Sequence, residues 1–289
     1  MQCISPLSVR KQNGKSADRI TVPCGRCLYC LQKRQSSWAI RLREELKHSR
    51  TAHFITITYD EKSIRWGFKD SSLYLTTDQA TRHDDFKSMT PRLEKHEIQA
   101  FLKRLRYYLP QTDIKYYLIS EYGLQTFRPH YHAIFFNIPY DISTTLGLKK
   151  MTRMLDKVWG KGHIDIGEVT DASIGYVTKY LINSTDYPEI CDTPFAFMSK
   201  KIGKKYLTPQ MAKFLKTDVR NYYTTDEGIK TALPRYYKDK VFNVVEKQAI
   251  QNKAEEQFLQ MTDEEYLSKL DRYKQKIYRK KLLNKKGKL

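Results

Sequence analysis

The sequence predicts an α+β fold, an antiparallel sheet with flanking helices, and three observations carry that prediction. Residues 53–59, His-Phe-Ile-Thr-Ile-Thr-Tyr, are rich in β-branched and aromatic side chains and alternate as a strand does. Residues 115–121 and 130–137 form two further strand patterns, separated by a loop containing Gly123 and Pro129, which suits an antiparallel pair. Helical periodicities fall between and after them, giving the order β, α, β, β, α, β, α.

Taken in order, residues 36–49 place Trp38, Ile40, Leu42 and Leu46 among Arg41, Arg43, Glu44, Glu45 and Lys47, an amphipathic helix with a basic side. The strand over 53–59 follows and is expected near the sheet centre. Residues 61–90 are polar and irregular, the pattern of an insertion or mobile loop. Thr90-Pro91 with Glu94 opens a helix whose Ile98, Phe101, Leu102 and Leu105 recur at helical spacing as far as Leu109, before Pro110 stops it. After the strand pair, a helix covers 146–159, a short strand covers 162–167, and Asp171 caps a helix over 172–182. Beyond Ser184 the signal weakens, apart from an amphipathic region after Val244.

These readings divide the chain into residues 1–50, a Cys-rich segment with the basic helix, residues 51–185, a catalytic core, and residues 186–289, an accessory region with a basic helical tail. Between Lys269 and Leu289 ten basic residues stand against Asp271 alone. Over all 289 residues, 52 Lys and Arg face 32 Asp and Glu, a formal charge of +20. A polyanionic partner is the physical reading, and nucleic acid is favoured over an anionic membrane because no lipidation motif or apolar anchor accompanies the charge. No segment approaches the roughly 20 apolar residues that span a bilayer, so a protein of the cell interior is expected. Hydrophobic residues at 40% exclude a merely disordered basic chain.

Five cysteines, with Cys3, Cys24, Cys27 and Cys30 crowded near one end, do not look like a secreted disulfide framework. Cys24, Cys27 and Cys30 stand at three-residue intervals, and with Cys3 they make a candidate tetrahedral structural zinc site. The shared middle cysteine departs from paired zinc knuckles, and an iron–sulfur cluster or free thiols are the alternatives. Cys191 is expected as a small buried residue, and Trp38, Trp66 and Trp159 as packing residues.

The chemistry centres on two patterns. Residues two apart on a strand share a face, so His130 and His132 project together while Tyr131 points away. Glu121, at the end of the neighbouring strand, is placed to complete a three-ligand site suited to Mg²⁺ or Mn²⁺, with Zn²⁺ also chemically possible. On the helix over 172–182, Tyr176 and Tyr180 stand at i and i+4, with Lys179 beside them. A phenol with a pKa near 10 needs a polarised phosphate or a neighbouring cation to act as a nucleophile. His163 and Asp165 also share a strand face, and no second motif supports a functional role for them.

Arg128-Pro-His-Tyr-His132 resembles the HUH motif (His, hydrophobic residue, His) of rolling-circle replication initiators. Phe54-Ile-Thr-Ile-Thr58 resembles their upstream strand motif, Ile119-Ser-Glu-Tyr-Gly123 stands where an acidic ligand is expected, and Tyr176-x-x-Lys179 resembles their tyrosine motif, with Tyr180 as the second tyrosine of the two-tyrosine branch. With the cysteine cluster, the chain is similar to the initiators of small single-stranded DNA phages of the gokushovirus group. The resemblance implies an HUH endonuclease that nicks single-stranded or supercoiled origin DNA. It implies a 5′-phosphotyrosyl link and a free 3′-OH for a host polymerase, in the cytoplasm of a host bacterium. No Walker A motif is present, so strand separation is expected to need a helicase partner. A non-enzymatic DNA-binding or packaging protein, and a metal-dependent hydrolase without a covalent intermediate, are the competing readings.

Overall fold

The computed structural model describes residues 3, 5–10, 19–69, 71–110, 112–123, 126–183, 189–260, 262–265, 267–268, 270–272 and 275, with the backbone alone for residues 180–183, 254, 255 and 257–259. The expected basic tail therefore lies almost wholly outside the described residues. In chain order the elements are β1 (Leu7–Arg10), β2 (Arg19–Val22), α1 (Leu28–Leu46), β3 (Ala52–Thr58), β4 (Trp66–Gly67), α2 (Thr77–Thr81), β5 (Thr90–Pro91), α3 (Lys95–Tyr108), β6 (Lys115–Tyr122), β7 (Pro129–Phe136), α4 (Thr145–Trp159), β8 (Ile164–Glu168), α5 (Asp171–Asn183), β9 (Ala196–Met198), α6 (Pro209–Lys216), β10 (Tyr222–Thr224), β11 (Lys230–Ala232), α7 (Arg235–Val241) and α8 (Val244–Leu259). Two compact units are distinguished: Met1–Ile40 with Tyr206–Leu289, and Arg41–Lys205. The second extends beyond the expected core of 51–185 at both ends.

That second unit is built on a five-stranded sheet of order β8-β3-β7-β6-β9, in which every neighbouring pair is antiparallel. Strand alternation gives the sheet two chemically different faces. Ile55, Ile57, Tyr59, Leu118, Tyr122, Tyr131, Ala133 and Phe135 form the apolar face, which packs on Ile98, Phe101, Leu102 and Leu105 of α3 and on Met151, Leu155, Val158 and Trp159 of α4. Trp159 anchors this core: its Nε1 donates to Thr58 O at 2.9 Å and its ring lies 5.1 Å from that of Tyr59. The opposite face carries Phe54, Thr56, Thr58, Glu121, His130 and His132, and α5 lies against β6 and β7 on that side.

Local chemistry explains most element boundaries. Thr144 caps α4 by accepting from Gly147 N at 3.1 Å, and Gly160, in the left-handed region at φ 63°, ends it. At α5 the expected capping residue is corrected. Thr170 is the cap, accepting from Ser173 N at 3.2 Å while its own N–H donates to Ser173 Oγ at 2.8 Å, and Asp171 is the first helical residue. Thr90 and Pro91 do not open α3; they pair with Gly67 and Trp66 as β5 and β4, and Glu94 precedes the helix. The irregular segment 61–90 thus contains paired structure, including the short helix α2. It is tied down by Arg92, which donates to Asp192 Oδ2 at 2.7 Å and to Phe68 O at 2.6 Å.

Helix α1 starts eight residues before the expected Ser36, immediately after the last turn of the cysteine cluster, where Leu31 N donates to Cys27 O at 3.0 Å. Its basic side is also corrected: Arg41, Glu44 and Glu45 are buried. Glu45 accepts from Lys115 Nζ and from Gly203 N, each at 2.7 Å, which satisfies both carboxylate oxygens. Strand β9, a three-residue edge strand, is too short for its alternation to be read in the sequence.

The first unit holds the β1–β2 and β10–β11 hairpins and a smaller core of Ile40, Leu215, Tyr223, Leu233, Tyr237, Val241 and Phe242. Helix α8 occupies the region expected to be amphipathic, yet Val244 and Val245 are exposed and Ile250 is its contact with that core.

Candidate active site and cysteine cluster

The centre of the sheet is β7, and it carries both histidines. His130 and His132 project from the polar face with parallel rings, 4° apart in plane and 6.3 Å between centroids, while Tyr131 is buried on the other side. The register sets Glu121 of β6 directly across from His130, and Thr56 and Thr58 of β3 across from His132 and His130. Helix α5 then lowers Tyr176 onto this row. The Tyr176 hydroxyl donates to Glu121 Oε2 at 2.9 Å and lies 3.4 Å from His132 Nε2. Glu121 Oε2 is 3.3 Å from the same nitrogen.

The surrounding residues orient His132. Thr56 Oγ1 lies 3.1 Å from Nδ1, so Nε2 is the nitrogen turned toward Glu121 and Tyr176. The Phe54 ring stacks on His132 at 5.9 Å and 11°, and meets Tyr176 edge-on at 6.2 Å. At His130, burial pushes the pKa below the ordinary histidine value, which favours the neutral imidazole able to ligate a cation. Gly123 gives that ring its room, because a Cβ there would stand 3.1 Å from His130 Cε1. Arg128, just before β7, ties the start of that strand to the chain after β3 by donating to Tyr59 O at 2.8 Å and pairing with Glu61.

Two imidazoles and a carboxylate on one sheet face are a donor set that suits a divalent cation. Glu121 and His132 are already in contact. His130 stands across from Glu121 on paired strands, so side-chain rotation is enough to bring in a third donor. Among the described residues the group whose ligand atoms all lie within 4.8 Å of one another is a different one: Cys3, Cys24, Cys27 and Cys30.

That cluster is held by the backbone. Cys24 N donates to Cys3 Sγ at 3.2 Å, Cys27 N donates to Cys24 Sγ at 3.3 Å, and the Cys3 and Cys27 sulfurs are 3.8 Å apart. The N–H groups of Cys27 and Arg26 hold the Cys24 thiol down at about 6, so it is a thiolate at neutral pH, whereas burial pushes Cys30 up to about 12. Four sulfurs in this arrangement could hold a metal such as zinc.

Of the residues singled out by sequence, the structure thus brings Glu121, His132 and Tyr176 into direct contact, with His130 beside them. Lys179 is exposed one turn along α5. Tyr180 belongs to α5 by its backbone, and its side chain lies outside the described residues. Cys191 is buried in the main core, as expected. The sequence reading assigned no role to Thr56 or Phe54; their signal was the same-face alternation of residues 54, 56 and 58. A cavity of about 560 Å³, lined by His53, Tyr140, Asp141 and Glu168 among others, lies toward the other end of β3 and contains none of the site residues.

An antiparallel sheet that presents two strand histidines and a carboxylate to a helix-borne tyrosine defines an α+β protein with one composite polar site. The chain belongs to the replication-associated protein ORF2 family, whose model matches residues 52–185, the stretch that carries β3 through α5. It is similar to Replication-associated protein ORF2 of Spiroplasma virus 4, 30% identical over 233 residues that cover 75% of this chain and 66% of that protein. It is also similar to Replication-associated protein VP4 of Bdellovibrio phage phiMH2K, 28% identical over 83% of this chain and 76% of that protein. A third relative is Replication-associated protein ORF4 of Chlamydia phage 1, 28% identical over 75% of this chain and 53% of that protein. The chain therefore spans between about half and three quarters of these relatives' lengths. No solved structure matches it.

Proposed function

We propose that the chain initiates phage DNA replication by nicking and rejoining single-stranded origin DNA through a covalent tyrosine link. The observation that carries this reading is the contact of the Tyr176 hydroxyl with both Glu121 and His132. Tyr176 Oη attacks the scissile phosphorus, the phosphorus–O3′ bond breaks, and the phosphate stays on the tyrosine as a 5′-phosphotyrosyl ester. Glu121 is the nearest acceptor for the phenol proton, and the departing 3′ oxygen is protonated to a 3′-OH that a host polymerase can extend. Mg²⁺ or Mn²⁺ bound by His130, His132 and Glu121 supplies Lewis-acid polarisation of that phosphate. Lys179 offers a cation to the DNA backbone. Tyr180 is the second nucleophile, which attacks a regenerated origin and lets the freed 3′-OH reverse the first link.

In this reading residues 51–185 are the catalytic core, the cysteine cluster is a structural zinc site, and the basic tail holds DNA. Strand separation falls to a host helicase in the bacterial cytoplasm. No described helix is long and apolar enough to cross a membrane. The test is incubation of labelled origin DNA with Mn²⁺ or Mg²⁺ and denaturing electrophoresis, for the parent and for the Tyr176→Phe/Tyr180→Phe variant. A covalent adduct is expected with the parent alone. Tight binding without an adduct, across candidate origins and metals, would instead favour the non-enzymatic DNA-binding protein.

A further inference from the structure

The polar site occupies one face of the sheet; α3 and α4 cover the other, and their outer surfaces are strongly basic. On α4, Lys149, Arg153 and Lys157 recur every fourth residue, about 6 Å apart along the helix, with Lys150 beside them. All four are exposed, and Asp156 is the one carboxylate on the exposed part of that helix. The exposed residues of α3 include Lys95, Lys103 and Arg106 and no carboxylate, since Glu97 is buried and paired with Lys161. Like charges set well within a Debye length of roughly 10 Å repel one another, and a polyanion relieves that repulsion.

Aromatic rings stand in the same surface. Tyr107 is 83% exposed and Tyr108 40%, with ring centroids 6.2 Å apart. Lys157 Nζ of α4 lies 5.5 Å from the Tyr108 ring centroid, which places the tyrosines next to the basic stripe. The helices are locked together beneath it, Arg104 Nε donating to Val158 O at 2.7 Å, so the rings and cations sit on a rigid base. Cations beside exposed rings are the combination that holds unpaired strands: phosphates meet the charges and bases stack on the rings. A duplex keeps its bases stacked on each other and has no use for the tyrosines.

We propose that the outer face of α3 and α4 is a second surface for single-stranded DNA, separate from the site at Tyr176. It rests on the proposed function only in choosing DNA over RNA. Because the two surfaces lie on opposite faces of one sheet, the strand held here is a different segment from the one at Tyr176.

The experiment measures binding without cleavage, in the full chain carrying Tyr176→Phe and without added divalent metal. Fluorescence anisotropy of a labelled oligothymidylate is followed from about 0.05 to 0.3 M salt, a range over which counterion release is readily measured. Replacing Lys149, Lys150, Arg153 and Lys157 by Gln removes four exposed cations, and the slope of log affinity against log salt is expected to fall by about 3, at roughly 0.7 per phosphate contact. Tyr107→Ala is expected to weaken binding roughly 5- to 150-fold, the loss of one stacked base. Parental affinity and slope in the fourfold variant would overturn the proposal, whatever the nicking assay returns. Equal losses on duplex DNA would overturn the single-strand assignment, and tighter binding of an RNA of the same length would overturn the choice of DNA. A lowered slope in a protein that never forms an adduct would leave this surface standing and remove the nuclease reading.

Discussion

Thr56 shows how one ordinary residue acquires a role. A threonine in a strand is unremarked in sequence because β-branched residues belong there. Only the register, which sets it across from His132, puts its hydroxyl 3.1 Å from Nδ1. Partners of this kind fix a ligand's orientation and tautomer, so Thr56→Val is expected to weaken Mn²⁺ binding roughly 10- to 100-fold with little change in fold. Isothermal titration of Mn²⁺ checks it, and an unchanged affinity would remove Thr56 from the site. His53 and His130 carry a second prediction. Burial lowers both pKa values, and buried His53 Nδ1 has no hydrogen-bond partner. Between those lowered values and about 6.5 the unfolded chain binds protons that the folded chain refuses. Their contribution to stability is therefore complete above about pH 6.5 and falls as the pH drops below it. Urea unfolding at about pH 7.5, 6.5 and 5.5 should show the decline, and His53→Gln should flatten it.

Among elements, α5 matters most, because it delivers Tyr176 to the sheet. Its start depends on the reciprocal Thr170–Ser173 bonds, which satisfy an orphan N–H at the first turn. Thr170→Ala is expected to cost about 1 kcal/mol, measurable as a lower denaturation midpoint, and to slow adduct formation more than it weakens DNA binding. An equal effect on both would mean that the helix start does not position the tyrosine. The long periodic helices α3 and α4 and the strands β3, β6 and β7 were legible because their apolar spacing extends over several repeats. Elements β4, β5 and β9 were not. Two or three residues show no period, and their pairing is with distant segments: Thr90 with Gly67, and Leu118 with Phe197.

At the scale of the whole molecule, the four clustered cysteines tie the chain before β1 to the start of α1, at a place where the short hairpin β1–β2 has little buried surface of its own. Zinc held there is expected to stabilise the folded chain, since ligand sites absent from the unfolded state convert binding energy into folding energy. Metal analysis should find one zinc per chain, and a strong chelator should lower the melting temperature. Cys27→Ser should melt at the chelated parent's temperature and ignore the chelator. A chelator without effect on the parent would leave the cysteines as packed thiols.

The sequence by itself determined the fold class, the shared face of His130 and His132, the helical placement of Tyr176 and the crowding of four cysteines. Each follows from spacing along a single element or from composition, and such local periodicities survive any packing of the whole. The strand order that puts β7 at the centre, the contact of Tyr176 with Glu121 across 55 positions of chain, the burial of Glu45 against Lys115 and Gly203, and the division of the sheet into a polar and an apolar face were decided only by the tertiary structure. These depend on which distant segments pair and in what register, a choice made by the collective burial of apolar surface and the satisfaction of buried polar groups. Neither quantity belongs to any one stretch of the chain.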